Sequence, residues 1–296
     1  MRFDPGSPFS LRVQALPRLG IGISTEFQAQ AQGGLDPIEL CQLYPGLVDF
    51  LEVGADLERG FDTDTLAWVA SGRPTTYHFL DVNLEQAEDL DAAWVAKTRA
   101  RAHEIGAAWL CGDAGVWHVG ARDRGHGTLM PPILEPDVAL DMGDNVRLLR
   151  ESTGMEVLPE NPPAQAFVGS MHLLDFFGEV CRQADSGMLL DVAHLAIYQQ
   201  VMGHDPLSGL ERFPMDRIVE VHVAGGSPFE EQGRTFVDDS HDCGVMESTW
   251  TILEHVLARA SGLRAIIFEC ERNRIPEVVP TFQRIRDAWN AAGAAR

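Results

Sequence analysis

Short apolar segments alternate with segments of helical periodicity along the whole chain of 296 residues, and this alternation restricts the fold more than any other feature. Eight apolar segments have the length and residue types of β-strands: 19–24, 48–54, 75–80, 107–112, 155–160, 187–192, 217–225 and 264–270. Helices are expected between them, most clearly over 84–102, and also from near residues 36, 62, 137, 164, 193, 247 and 276. Repeated alternation of this kind is typical of a parallel (β/α)8 barrel, the TIM barrel of the α/β class.

The sequence predicts a single domain over residues 1–296, because no stretch rich in Pro, Gly or Ser is long enough to separate two domains. A doubly wound open sheet is the alternative fold, and it usually carries a glycine-rich phosphate turn after its first strand. Gly20 and Gly22 lack the third glycine of that motif. The longest irregular segment, about 115–136, follows the fourth strand, where a barrel would place it over the mouth.

Composition and charge limit the classes of molecule that the protein is expected to bind and the cellular compartment in which it is expected to work. The chain has 44 acidic and 23 basic residues and a formal net charge of -21, so it lacks the basic surface that nucleic acids or an anionic membrane would attract. It shows neither a signal peptide nor an apolar run of the roughly 18 residues that span a bilayer, and a cytoplasmic protein is expected. The 5 cysteines form no CxxC pair, which argues against a disulfide framework or a thiolate zinc site.

Each predicted strand after the first carries a polar or ionisable residue toward its end, and this placement is the main clue to function. These residues are Glu52, His78, Asp113, Glu160 with Asn161, Asp191, His222 and Glu269. In a barrel the carboxyl ends of all strands meet at one mouth, so these side chains would become neighbours. Crowded carboxylates raise one another's pKa unless a cation lies among them. Imidazole and carboxylate ligands without thiolate suit Fe, Mn or Zn.

Several of these residues also have a purely structural interpretation. Glu52 or Asp191 could cap the helix that follows, and His78 and His222 could be hydrogen-bonded core histidines. The loop 239–242 could cap a helix that begins nearby. A shared site is favoured because consecutive strands would otherwise have to place polar groups at the same end by coincidence.

A set of motifs lies in order over most of the chain. They are LGIGIST (19–25), DFLEVGAD (49–56), YHFLDVNL (77–84), LPENPP (158–163), LLDVAHL (189–195), EVHVAGG (220–226), VDDSHDCGV (237–245) and IFECERNRIP (267–276). Together they resemble the multinuclear non-haem iron-dependent oxidases that modify ribosomally synthesised peptides, the methanobactin oxidase catalytic subunit-like family.

The resemblance implies a TIM barrel that holds two or three iron ions and uses O2 to oxidise a cysteine of a precursor peptide. The ligands that it implies are His78, Glu160, Asp191, His222, Asp239, His241 and Glu269, with Asn161 as a further ligand or a residue behind the ligands. It also implies a partner protein for peptide recognition. An acidic exterior would favour a basic leader peptide or partner.

The chain departs from the family pattern at three places. The histidine that usually follows the first strand is missing, and Glu26 is the candidate substitute. Asp113 is followed by alanine rather than histidine, with His118 as the candidate replacement, and His194 is an additional candidate ligand where the family has an asparagine pair. A two-metal site, or another metal such as Mn or Zn, is therefore compatible with the sequence.

Residues behind the ligands are expected to orient the histidines, as imidazole ligands generally require. The candidates are Glu52, Asn83 and Asp242, and Glu52 and Asp113 are also candidate substitute ligands.

Two other functions fit the same residues. A sugar isomerase or epimerase barrel would use Mn, Mg or Zn to polarise a hydroxyl and a carbonyl while a carboxylate moves a proton. An inactive barrel that binds a peptide or partner would retain the polar mouth without its chemistry. Dependence on O2 and ferrous iron separates the first alternative from an oxidase.

Overall fold

Eight parallel strands close into a barrel in the order β1-β10-β7-β6-β5-β4-β3-β2, in a computed structural model that describes residues 3–25, 34–54, 57–58, 60–120, 122 and 129–294. The barrel strands are β1 (Gly20–Thr25), β2 (Phe50–Gly54), β3 (Thr75–His78), β4 (Leu110–Asp113), β5 (Val157–Glu160), β6 (Met188–Asp191), β7 (Ile218–Ala224) and β10 (Ala265–Glu269). The predicted TIM barrel is confirmed, and all eight predicted strands belong to it.

One helix, α1, precedes the first strand, and the others follow strands on the outside of the barrel. They are α1 (Phe9–Ala15), α2 (Pro37–Leu43), α3 (Thr63–Ala70), α4 (Ala92–Glu104), α5 (Pro136–Thr153), α6 (Leu173–Ala184), α7 (Val192–Met202), α8 (Glu247–Leu257) and α9 (Ile275–Ala294). The side chain of Asp36 caps α2 by accepting hydrogen bonds from two backbone amides, with Pro37 in the first turn as the sequence indicates. Among the described residues, no helix combines the length and apolar character needed to cross a membrane.

Two predicted helix starts are wrong. The helix expected from residue 84 begins at Ala92, because Asp91 accepts hydrogen bonds from the amides of Ala93 and Trp94 and caps it there. A short 3-10 helix, Ala87–Asp89, precedes it, and Leu84 and Leu90 are buried on either side of this turn, so their spacing reflects burial rather than one continuous α-helix.

The helix expected from residue 164 begins at Leu173. The chain before it instead runs alongside Leu134, whose amide donates to the carbonyl of Val168. Gly169 is required in this segment, because a Cβ there would lie 2.4 Å from the Leu134 carbonyl oxygen.

The amino-terminal end of the barrel is closed by α1. Phe9 and Val13 pack with Trp109 and other apolar residues in a core cluster separate from the main one. Arg12 reaches the buried carboxylate of Glu156, with Nε 2.7 Å from Oε2. This end of the barrel is therefore filled by packed side chains, and the opposite end carries the polar residues.

An antiparallel hairpin interrupts the repeat after β7 and is not among the predicted strands. It consists of β8 (Gly226–Glu231) and β9 (Arg234–Asp239) and pairs Gly226 with Asp239. The rings of Phe229 and Phe236 stack across it at 5.5 Å. The hairpin leaves the barrel at the mouth and returns to it at Asp239.

Candidate metal centre

Acidic and imidazole side chains line a cavity of about 410 Å³ at the carboxyl ends of the strands. The predicted residues that line it are Glu52, His78, Asp113, Glu160, His194, Asp239, His241 and Glu269. His222 and Asp191 lie behind these residues and are fully buried. Side chains that are far apart in sequence therefore meet at the barrel mouth, as the parallel topology requires.

Glu160, at the end of β5, is the centre of the first half of the cluster. Its Oε2 lies 2.9 Å from Nε2 of His78, and its Oε1 lies 3.3 Å from Nδ1 of His222. Asp113 joins Glu160 and His78 in a group whose ligand atoms all lie within 4.8 Å of one another. Two imidazoles and two carboxylates therefore converge here.

Asp239, at the end of β9, is the centre of the second half. Its Oδ2 lies 3.1 Å from Nε2 of His194 and 3.3 Å from Nε2 of His241. Asp191 approaches the same His194 nitrogen at 3.6 Å. Carboxylates thus face the two histidines of this half.

Two carboxylates connect the two halves: Glu160, whose Oε1 also lies 3.8 Å from Nδ1 of His194, and Glu269 at the end of β10. Glu269 Oε1 lies 3.3 Å from Nδ1 of His222, and its Oε2 lies 3.6 Å from Nε2 of His241. Each of these carboxylates therefore reaches a histidine from each half, which is the arrangement of a residue able to bridge two cations.

Several buried polar atoms of the cluster have no hydrogen-bond partner among the described residues. They are Asp113 Oδ1, Asp191 Oδ2, Asp239 Oδ1, Glu269 Oε2 and both ring nitrogens of His222. Buried polar atoms are normally paired, so a set of orphans converging on one point fits shared metal ligands. The donor set of carboxylates and imidazoles therefore fits Fe, Mn or Zn.

The electrostatics of the cluster favour positive charge. Burial and repulsion from Glu160 raise the pKa of Asp113 to about 7. Burial lowers the pKa of His78, but the hydrogen bond that His78 donates to Glu160 and the charge of Glu52 outweigh it and raise that pKa to about 9. Burial also opposes ionisation of Glu160, yet His222 and His78 hold the pKa of this carboxyl well below its usual range. Nearby positive charge, from protonated imidazoles or from metal cations, stabilises the ionised carboxylates here.

Two carboxylates lie behind ligand histidines. Glu52 Oε1 is 3.1 Å from Nε2 of His222, on the side of the ring away from Glu160. Glu271 Oε2 is 3.0 Å from Nδ1 of His241, and the hydroxyl of Ser24 donates to the other Glu271 oxygen. Carboxylates in such positions fix the tautomer and orientation of metal-binding imidazoles.

The loop from Asp239 to Gly244 positions His241. His241 itself adopts a left-handed backbone conformation, with φ 49°. Asp242 accepts hydrogen bonds from Ser227, Ser240 and the amide of Gly244 and so holds the loop. Gly225 is needed beneath it, because a Cβ there would lie 2.2 Å from the Asp242 carbonyl oxygen. The loop does not cap α8, whose N-cap is Met246.

Asp191 and Asn161 contact the backbone. The Asp191 side chain caps α7 by accepting from the His194 amide at 2.6 Å, so the capping interpretation holds while its other oxygen faces the cluster. The Asn161 side chain donates to the Asp191 carbonyl and accepts from the Asp191 amide, joining β5 to β6. This pairing uses both ends of the Asn161 amide, which holds Asp191 in place.

Other predicted residues are not brought into the cluster. His118 directs its ring nitrogens to Asp89 and to the Gly120 carbonyl oxygen, at 2.8 and 2.9 Å. Asn83 contacts the backbone of Trp117 and His118 rather than a ligand histidine. Glu26 lies outside the described residues, as do 121 and 123–128 of the predicted mouth loop, but Leu129 of that loop lines the cavity.

Sequence reasoning missed two buried acidic residues, Glu271 and Glu220. For Glu220 the signal was strand alternation, because it lies two residues before His222 in β7. Glu271 lies in the turn after β10, and its only signal was its nearness to Glu269 in the sequence. Glu220 lies deeper in the barrel, where Oε2 accepts a hydrogen bond from the Trp109 indole at 2.6 Å.

The 5 cysteines are free thiols. Cys243 is half-buried, and the other four are buried.

Solved structures with this fold include metal-containing proteins. The TTHB071 protein from Thermus thermophilus, soaked with ZnCl2, has a TM-score of 0.51 at 18% identity, over 90% of this chain and 98% of that chain. The IolI protein with a bound zinc atom has a TM-score of 0.56 at 13% identity, over 92% and 98%. An L-ribulose 3-epimerase has a TM-score of 0.55 at 12% identity, over 95% and 97%. At these identities the likeness is one of fold.

Sequence relatives cover most of the chain. A UPF0276 protein of Rhizorhabdus wittichii is 28% identical over 256 residues, which are 83% of this chain and 88% of the relative. A UPF0276 protein of Caulobacter vibrioides is 25% identical over 226 residues, 75% of this chain and 79% of the relative. The profile of the RiPP precursor modification enzyme family MbnB/TglH/ChrH matches residues 19–292. The match confirms the resemblance carried by the strand-end motifs, and the chain belongs to this family of enzymes that modify ribosomally synthesised precursor peptides.

Proposed function

We propose that the protein is an iron-dependent oxidase that uses O2 to modify a cysteine of a ribosomally synthesised precursor peptide at a multinuclear iron centre. The observation that carries the proposal is the convergence of imidazole and carboxylate atoms without hydrogen-bond partners among the described residues, in a member of a peptide-modifying family. A thiolate substrate needs an open metal position, and these ligands lie around a cavity rather than in a closed core.

The ligands fall into two groups that share one carboxylate. His78, Asp113 and Glu160 have ligand atoms within 4.8 Å of one another and would hold one iron, and Glu160, Asp191 and His194 meet the same condition for a second. Glu269, which approaches His222 and His241, and Asp239, which approaches His194 and His241, would add ligands around these groups. Iron held in this way supplies one-electron chemistry and O2 activation, which cysteine oxidation needs.

The remaining residues orient the ligands and shape access. Glu52 and Glu271 fix the ring orientations of His222 and His241 from behind. Leu129 and Pro163 form apolar parts of the cavity wall, which limits water at the site of reaction. A rigid barrel rim therefore supports both the ligands and the opening through which a peptide would enter.

We also propose that a partner protein helps to recruit the precursor peptide. The formal charge of -21 favours a basic leader or partner through long-range attraction. Such binding should weaken as ionic strength rises. Binding that is equally tight at low and high salt would contradict this electrostatic contribution.

O2 uptake with a matched pair of peptide pools tests the proposed activity. The protein, purified without oxygen and loaded with ferrous iron, is mixed with a pool of short synthetic peptides that each carry one cysteine, or with the same pool carrying serine instead. We expect O2 consumption and a mass change only with the cysteine pool. His222→Ala should abolish both, whereas the control His103→Ala, at an exposed position of α4, should retain them.

The alternative functions give different results in the same experiment. Conversion of a ketose with Mn or Zn, without O2 uptake, would indicate a sugar epimerase, the activity named for one structural neighbour. Peptide binding without any chemical change would indicate an inactive binding barrel. Either result would contradict the proposed oxidase.

A further inference from the structure

A second cavity of about 600 Å³ opens beside the candidate metal centre, between the segments 129–133 and 163–168. Leu129, Pro163 and Asp239 line both this groove and the central cavity. A continuous cleft therefore leads from the ligand cluster to the protein surface.

The walls of the groove are apolar and exposed. Met130 and Ile133 on one side are 41% and 54% exposed, and Val168 on the other side is 69% exposed. Large aliphatic side chains that gather around one groove mark a binding surface more often than isolated exposed ones do. Their position next to the metal ligands indicates a ligand that occupies both cavities at once.

The groove is held in shape from behind. The amide of Leu134 donates to the Val168 carbonyl at 2.8 Å, and Leu134 itself is buried. Phe167 packs edge-to-face on Tyr198, with 4.8 Å between ring centroids, and the Gln165 amide donates to the Val237 carbonyl. Because both walls are anchored by buried neighbours, binding would need little reorganisation.

The charge of the groove restricts what it accepts. Its lining includes two carboxylates, Asp238 and Asp239, and no lysine or arginine among the residues that the structure describes there. An acidic side chain would be repelled, and a polar sugar would find few hydrogen-bond partners along the proline, methionine, isoleucine and valine walls. An extended peptide with an apolar side chain fits both conditions.

We propose that this groove binds an apolar side chain that flanks the modified cysteine of the precursor peptide, so that cysteine reaches the metal centre while its neighbour lies between Ile133 and Val168. This assignment rests on the proposed function and adds the substrate feature that the enzyme selects. It makes Ile133 and Val168 specificity-determining residues, with no role in holding metal.

A peptide library provides the test. The probe is an equimolar mixture of short peptides with one fixed cysteine and variable flanking residues. It is incubated without oxygen with the iron-loaded protein, and the peptides that remain bound to the protein are identified by mass spectrometry. Leu, Ile, Val and Met should be enriched over Asp and Glu at a flanking position. Val168→Asp and Ile133→Asp should reduce that enrichment about tenfold, the effect of losing the burial of one aliphatic side chain.

The control is Leu148→Asp, which makes the same chemical change at a 47% exposed position of α5 and should leave the enrichment intact. Iron content and melting temperature should match the wild type in all three variants, since each site is on the surface. Cysteine peptides retained without an apolar preference, or with a preference that survives both groove variants, would overturn the groove assignment alone. If the wild type retains no cysteine peptide at all, the groove assignment is overturned, and the O2-uptake experiment decides the proposed function separately.

Discussion

Glu52 Oε1 lies 3.1 Å from Nε2 of His222, and both side chains are buried, Glu52 at the base of the cavity and His222 behind it. The other ring nitrogen of His222 faces Glu160 and Glu269 at 3.3 Å. The approach does not have the geometry of a hydrogen bond, but the negative charge on the Nε2 side favours the tautomer that carries its proton there and directs the Nδ1 lone pair at the other two carboxylates. We therefore propose that Glu52 acts on the candidate metal centre through the orientation and basicity of His222.

Glu52→Gln is therefore expected to weaken iron binding by about ten- to a hundredfold, because a neutral amide stabilises the ligand tautomer less than a carboxylate does. Competition with a chelator under anaerobic conditions measures the change. Glu254→Gln, at an exposed position of α8, is the matched control and should bind iron like the wild type. Equal affinities for Glu52→Gln and the control would show that Glu52 does not orient His222 for a metal.

Glu271→Gln should affect one half of the centre selectively. Glu271 contacts His241 at 3.0 Å, and none of the described contacts of His78 is with Glu271. We expect the iron content to fall by about one ion per chain, while the ion near His78 and Glu160 remains. Elemental analysis measures the content, with Glu277→Gln as the exposed control. An unchanged content, or a loss of all iron, would contradict two separable halves.

Arg12→Met should destabilise the barrel without affecting the metal centre. The guanidinium and the carboxylate of Glu156 are 1% and 0% exposed, and removal of one partner leaves the other charge buried. Such losses cost about 3–5 kcal/mol of unfolding free energy. Urea denaturation should show this loss, whereas Arg182→Met, in a pair where the arginine is 67% exposed, should change stability by less than about 1 kcal/mol. Similar unfolding free energies for the two variants would contradict a stabilising role for α1 at the amino-terminal end of the barrel.

Glu85 gives a pH-dependent prediction away from the ligands. Burial, with a contribution from nearby Asp89, raises the pKa of Glu85 from 4.5 to about 7. Between these values the unfolded chain binds fewer protons at this carboxyl than the folded chain does, so the contribution of Glu85 to the unfolding free energy falls as the pH rises.

The variant Glu85→Gln removes this titration. The unfolding free energy of the variant minus that of the wild type should be greater at pH 8 than at pH 5, by about 2 kcal/mol. Urea denaturation at both pH values in the presence of EDTA measures the difference, with the exposed Glu88→Gln as the control. The same difference at both pH values would show that the carboxyl titrates normally in the folded chain.

The strand-end residues were predictable because the carboxyl ends of parallel strands must meet. His78, Glu160, His222 and Glu269 follow from strand placement alone, and their contacts agree with it. Asp239 comes from the end of an inserted hairpin, so no strand-helix pattern places it at the mouth. The motif VDDSHDCGV, by resemblance, was the signal that pointed to it.

Other features depend on which way a side chain points, and the separation of two residues in the sequence does not give that direction. His118 is close to Asp113 in sequence, but its ring turns towards Asp89 because that carboxylate accepts a hydrogen bond there. The apolar spacing before Ala92 was mistaken for a helix because buried loop residues can share helical spacing. Glu271 was overlooked because it lies in the turn beyond the end of β10, where strand alternation no longer fixes the direction of a side chain.

The metal content of protein purified anaerobically, measured by elemental analysis beside the variants His222→Ala and Asp239→Ala, tests the central claim most directly. We expect two or more irons per chain in the wild type, as the paired ligand groups require, and a loss of iron in both variants. The control His103→Ala should retain the full content. A single zinc or manganese per chain, or no bound metal, would contradict a multinuclear iron centre.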